Sequence, residues 1–246
     1  MSAAGGMRII TMPKAEPEVG TAGLFRLLAW LSPSFPTGGF SYSHGLEAAA
    51  AAGSVHDRAS LQAWIAGIVV AGSGRIDADI LHAAWRATRA GDDAALADAH
   101  RRGAAYRATA ELALESAQQA DAFLTIHRAA WATPRPPGGE GQGKAAAASS
   151  LAAAFGAAAA GAGIGLEDAF LGYLQSFAGN LVSAGLRLGI IGQTDGQRIL
   201  AALEPEITTA VTAALSRDPA EFGAATFALD LASMAHETQY SRLFRS

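Results

Sequence analysis

The stretch Gly39-Phe40-Ser41-Tyr42-Ser43, followed by His44, comes nearest to a catalytic motif in this chain. It imitates the nucleophile elbow G-x-S-x-G, with Ser in place of the last Gly. That elbow needs a strand in front of it, and the residues before Gly39 read as a helix followed by a Pro-rich turn. His44 invites a Ser–His pair, but the partners of a triad meet by spatial convergence rather than as neighbours in sequence. A serine hydrolase using Ser41 or Ser43 therefore stands as one alternative reading, and a generic all-α binding scaffold as another.

Other chemical spacings are weaker. Gly138-Gly-Glu-Gly-Gln-Gly143-Lys144 matches the first seven positions of a phosphate-binding loop. Ala145 stands where Ser or Thr should meet magnesium, and prolines replace the incoming strand. The run Gly161-Ala-Gly163-Ile-Gly165-Leu166 fails the dinucleotide fingerprint at its last position. The histidines, at 44, 56, 82, 100, 127 and 236, include no pair spaced three or four apart. Asp79 and His82 share a helix face, yet two ligands leave most of a coordination sphere unfilled. Glu111, Glu115, Glu167 and Asp168 read as acids of solvated helix faces or helix starts. No catalytic residue, cofactor or metal is expected.

The elements that would carry these residues are helical. Half of the 246 residues are hydrophobic and 16% are charged, enough apolar material for a sizeable core. Much of it is alanine, which favours closely packed helices. Net charge is −4 and no basic block could track a phosphate backbone, which disfavours nucleic acid. There is no cysteine, so disulfides and thiolate metal sites are excluded. The start of the chain has no apolar core of a signal peptide, and no uninterrupted apolar run predicts a membrane span. The expected address is the cytoplasm.

Leu24, Leu27, Leu28 and Leu31 predict a short helix stopped by Ser32-Pro33, before a turn-rich elbow over Ser32–Gly45. Asp57 is placed to cap the next helix and Gly91 to end the one after it. A single long helix is expected from Ala104 to Trp131. Phe170, Leu174, Phe177, Leu181, Ala184 and Leu188 give the clearest 3.6-residue period. Thr194 to Gln197 reads as a capping box, Pro205 as a kink or break, and Asp218-Pro219 as the start of another helix. The expectation is an all-α bundle of about eight to ten helices in one domain over 24–246. A flexible extension at 1–23 and a flexible loop at about 133–147 complete it.

Three ordered motifs resemble the UreF family of urease accessory proteins. The first is Leu27-Leu28 through Ser32-Pro33, Phe35-Pro36, Gly38, Phe40, Tyr42-Ser43 and Gly45-Leu46-Glu47. The second is Asn180-Leu-Val-Ser-Ala184 with Arg187-Leu188 and Gly192-Gln-Thr-Asp-Gly-Gln197. The third is the ending from Met234 to Ser246. The resemblance implies an all-α homodimer that joins UreD (also called UreH) and the nickel-binding GTPase UreG on apo-urease. It implies a chaperone that tunes GTP hydrolysis by UreG and is not itself an enzyme. The extension and the loop fit no family motif, and the alanine-rich stretch Leu151–Ala160 cannot be matched to family core positions.

Within that frame Phe40, Tyr42, Glu47 and Arg187 are expected to face UreG. His236, Glu237, Tyr240, Arg242, Leu243, Phe244 and Arg245 are expected to form a docking element for UreD. Aromatic and Arg side chains are the types enriched at binding hot spots. His236, Tyr240 and Leu243 would share a helical stripe, mobile until a partner orders it. Gly179 and Gly185 would lie in a dimer seam, because glycine inside a helix is costly unless another backbone approaches closely.

Overall fold

The alanine-rich sequence folds as the helical periodicity requires. In the computed structural model, residues 20–131 and 149–246 are described. Ten α-helices occur among them: α1 Thr21–Trp30, α2 Leu46–Ala51, α3 Arg58–Ala71, α4 Ser73–Ala90, α5 Asp93–Ala105, α6 Ala110–Ala130, α7 Leu151–Gly161, α8 Leu166–Arg187, α9 Gln193–Ser216 and α10 Phe227–Glu237. The expected loop at 133–147, with its phosphate-loop look-alike, lies outside the described residues, as do residues 1–19. The expected extension ends sooner than 23, because α1 already begins at Thr21.

Capping chemistry fixes several boundaries. Asp57 accepts from the Ser60 amide and opens α3 with a reciprocal box. Gly91 closes α4 in the left-handed conformation. The long helix expected from Ala104 to Trp131 is in fact two. Thr109 caps α6 through the Leu112 amide, and Arg107, in the break, turns inward to Asp77. An uninterrupted helix would not free Arg107 for that contact.

Three further expectations at the C-terminal end are corrected. Thr194 lies inside α9, which starts at Gln193 without a side-chain cap. Pro205 does not split α9. Ile199 and Leu203 before it, and Ile207 and Val211 after it, are all buried on the side packed against α3 and α8. That burial outweighs the roughly 3 kcal/mol a helix proline costs. Asp218-Pro219 opens only a 3-10 turn, Pro219–Glu221, and Arg75 pins the following loop through the Glu221 and Gly223 carbonyls.

The core runs through all layers. On α7, Ala152, Ala153, Ala154, Phe155 and Ala159 are buried, so the stretch that matched no family position is central to the fold. The packing of α4 on α7 is close enough that a Cβ on Gly156 would sit 2.6 Å from the Leu81 carbonyl oxygen. Helix α9 is also the one described helix long and apolar enough to cross a membrane, but its apolar face is used in this core. Below the elbow lies an aromatic cluster: Phe35 on Phe123 at 5.4 Å, Phe123 on Phe155 at 5.9 Å, and Phe155 on Tyr173 at 5.6 Å between ring centroids.

Candidate functional site: the elbow and its C-terminal clamp

The elbow bends because its backbone visits conformations that most residues avoid. Gly38 and Gly45 have φ of 75° and 78°, and His44, which is not glycine, has φ of 56°. Such a backbone persists only where its surroundings hold it. The His44 ring is held on both sides, with Nε2 2.7 Å from Ser73 Oγ and Nδ1 3.2 Å from Glu115 Oε2. Gly45 is closely packed as well as left-handed, since a Cβ there would lie 3.1 Å from the Ser233 amide nitrogen of α10.

The C-terminal segment closes over this bend. Glu47 is buried, and its two oxygens accept from the Leu243 amide at 2.7 Å and the Phe244 amide at 2.9 Å. The Arg245 amide donates to the Ser41 carbonyl at 2.9 Å, and the Ser43 amide to the Ser246 carbonyl at 2.7 Å. The Ser43 hydroxyl donates to that same Ser246 oxygen at 2.5 Å. Hydrogen bonds to a buried carboxylate are the strong kind, about 1.5–3 kcal/mol each. Phe244 is buried, and the Arg187 guanidinium lies 4.4 Å above its ring while donating to the Phe40 carbonyl.

Helix α6 supplies the floor of the clamp. Glu111 receives Arg242 at 2.5 Å and lies 2.6 Å from His236 Nδ1, whose other nitrogen is 3.2 Å from Glu47. Gln118 accepts from both Tyr42 (2.5 Å) and Arg245 (3.2 Å). Glu115 accepts from the Ser246 hydroxyl at 2.7 Å. Burial pushes the Glu115 carboxyl up, but His44, the Ser246 hydroxyl and Arg107 together hold it below the usual carboxylate range. Glu237 accepts from the Ala110 amide at 3.0 Å, a carboxylate at the positive end of α6.

The structure therefore brings together Phe40, Tyr42, Glu47, Arg187, His236, Arg242, Leu243, Phe244 and Arg245, with Glu237 alongside. Tyr240 is fully exposed, and the side chains of Phe40 (70% exposed) and Leu243 (63%) point outward. The expected helical stripe over His236, Tyr240 and Leu243 is not formed. Helix α10 ends at Glu237, and the tail continues as a bent, hydrogen-bonded strap ordered by this chain itself. Gly185 is also reassigned: a Cβ there would meet Leu61 of α3 at 2.4 Å, so its close approach is within the chain. Gly179 has nothing within 4 Å.

Sequence reasoning missed Glu111, Glu115 and Gln118, read as a solvated face or not at all. Their signal was available. Glu111, Glu115 and Gln118 recur at i, i+4 and i+7 beside the buried Leu112 and Phe123, a polar stripe inside an apolar face.

Beneath the elbow is a cavity of about 350 Å³, lined in part by Phe35, Phe40, Glu115, Gln119, Gly179 and Asn180. At its base Arg107 pairs with Asp77 at 2.5 Å, and the Tyr173 hydroxyl donates to Asp77 at 2.9 Å. Burial and the neighbouring Asp77 carboxylate push the Tyr173 hydroxyl well above its ordinary range.

Ser73, His44 and Glu115 stand in the order of a hydrolase relay. Ser73 is buried and is not among the residues that line the cavity described above. Ser43 is bonded to Ser246 rather than to His44. The relay instead holds the left-handed backbone at His44. Among the described residues no group of three His, Asp or Glu side chains could hold a metal ion, and the two nitrogens of His236 engage two different carboxylates.

The fold and the site thus define an all-helical protein whose ordered elbow presents aromatic and Arg side chains beside its own strapped C-terminus. The UreF family model matches residues 55–204. Similar proteins include the urease accessory protein UreF of Granulibacter bethesdensis, 45% identical over 93% of this chain and 96% of the relative. The UreF of Bradyrhizobium sp. (strain ORS 278) is 43% identical over 96% of this chain and 97% of that protein. That of Rhodopseudomonas palustris (strain TIE-1) is 45% identical over 96% and 99%. The chain belongs to the UreF family of urease accessory proteins.

Proposed function

We propose that this chain is a non-catalytic scaffold that joins UreD (UreH) and the GTPase UreG on apo-urease, so that nickel is inserted there. It tunes GTP hydrolysis by UreG and works as a cytoplasmic homodimer. The observation that carries this reading is the clamp itself, in a chain of this family. Elbow and tail form one surface in which exposed Phe40, Tyr240 and Leu243 stand beside Arg187, Arg242 and Arg245. Aromatic anchors rimmed by Arg suit a protein partner.

Because the elbow and the strap share Arg187 and Glu47, occupancy by one partner can bias the other through the same contacts. The test is a titration of UreG and of UreD against the purified protein. Phe40→Ala should weaken UreG binding by about tenfold or more, and the double change Tyr240→Ala, Leu243→Ala should do the same for UreD. Wild-type affinities for both partners would remove the clamp from the interface.

A further inference from the structure

A second exposed surface lies away from the clamp, where α1 meets the end of α6. Helix α1 buries Leu27 and Trp30, and its outer side carries Leu24 (47% exposed), Phe25 (65%) and Leu28 (67%). Leu24 and Leu28 are four apart, and Phe25 adjoins both, so they form one stripe. Trp131, at the end of α6, extends it, its ring 6.3 Å from that of Phe25. Single exposed apolar residues are ordinary, but a contiguous group of large ones marks a contact surface.

Charge distinguishes this stripe from a merely greasy face. Arg26 follows Phe25 on α1, close enough to His127 of α6 to act on its charge, and Arg128 stands in the last turn of α6. Neither makes an ion pair among the described residues. Both are close enough that, with burial, they hold His127 below its usual range, and Arg128 acts likewise on His100. The apolar stripe is thus flanked by positive charge that has no ion-pair partner among the described residues, in a chain whose net charge is −4.

We infer that the α1 stripe with Arg26 and Arg128 is a docking surface for an acidic amphipathic segment of a partner protein. Its apolar side covers Leu24, Phe25, Leu28 and Trp131, and its carboxylates meet the two arginines. A second copy of this chain fits poorly, because a two-fold pairing sets one positively charged patch against another.

The identity of the partner rests on the scaffold reading above, and the experiment separates the two. The purified full-length chain is titrated with UreD, with UreG and with apo-urease, beside the variants Phe25→Ser/Leu28→Ser and Arg26→Glu/Arg128→Glu. The expected result is that both variants lose about tenfold or more in affinity for the same one of the three, with helicity preserved. A wild-type chain that binds none of the three sinks the scaffold reading. Wild-type binding matched by both variants overturns this surface and leaves the scaffold reading intact. Two other occupants are checked alongside. Slow amide exchange over 21–30 in the free chain, lost when residues 1–19 are deleted, would assign the stripe to the chain's own N-terminal segment. A shift from dimer to monomer in either variant would assign it to a second copy. Either result overturns the inference.

Discussion

The contact between α4 and α7 and the clamp between elbow and tail hold the chain together by opposite means. The first is almost free of polar groups: alanines, Phe155 and a glycine let two helices approach until Gly156 touches the Leu81 backbone. The second adds to the buried Phe244 three carboxylates, Glu47, Glu111 and Glu115, that engage the elbow, α10 and the tail. Close packing is cooperative with the whole fold, whereas a polar strap at a chain end can open by itself. The scaffold role proposed above calls for both, a frame that does not yield and an edge that can respond to a partner.

The largest effect should come from breaking the frame. Phe155→Ala removes a fully buried ring shared by α4, α7 and the aromatic cluster, and should cost about 3–5 kcal/mol. That corresponds to a fall on the order of 10 °C in the thermal midpoint, measured by circular dichroism. Glu47→Gln should instead cost about 1–3 kcal/mol and act locally. Amide exchange at Leu243 and Phe244 should rise by about ten- to a hundredfold, while exchange in α4 and α8 stays at wild-type rates. If Glu47→Gln lowers the thermal midpoint as far as Phe155→Ala does, the distinction between frame and strap fails.

Acid separates the two regions next. The folded Glu115 carboxyl titrates below its ordinary value of 4.5. A carboxyl depressed in this way adds stability that is present above the unfolded value and lost as pH falls through the folded one. The strap should therefore loosen below about pH 4.5, before the alanine-rich contact of α4 with α7. Exchange at residues 243–246, followed from pH 6 to pH 3, should accelerate ahead of helix loss. In Glu115→Gln that acid-linked step should disappear. An unchanged acid profile in this variant would show that another group governs the strap.

The frame was legible in the sequence because period and caps agree there. The α8 face from Phe170 to Leu181 and the Asp57 and Gly91 boundaries follow from local rules. Local rules failed where distant residues intervene. The break at Arg107 exists because Asp77 lies on another helix, and the continuity through Pro205 exists because α3 and α8 cover both halves of α9. The site was half legible. Motif and residue type pointed to the elbow and the tail, but nothing local said that Glu47 receives the tail, some 196 residues away, or that α6 carries the floor. The spacing of the α6 acids held that information only once a buried face for them was known.

The smallest intrachain effect concerns two glycines of α8 that look alike in sequence. Gly185→Leu should cost about 1–3 kcal/mol by overpacking, because its Cβ already meets the Leu61 side chain at 2.4 Å. A Cβ at Gly179 meets nothing within 4 Å, and the residue borders the cavity beneath the elbow. Gly179→Leu therefore exchanges glycine for a good helix former with space beside it, and stability should hold or rise by up to about 1 kcal/mol. That makes Gly179 the sharper probe of the proposed homodimer. If α8 faces a second subunit at this point, an added leucine blocks close backbone approach without harming the isolated fold. Sedimentation equilibrium should then show Gly179→Leu as a folded monomer at concentrations where wild type pairs. A Gly179→Leu dimer of undiminished affinity would take this part of α8 out of the seam, while Gly185→Leu cannot decide the matter, because its own fold is compromised first.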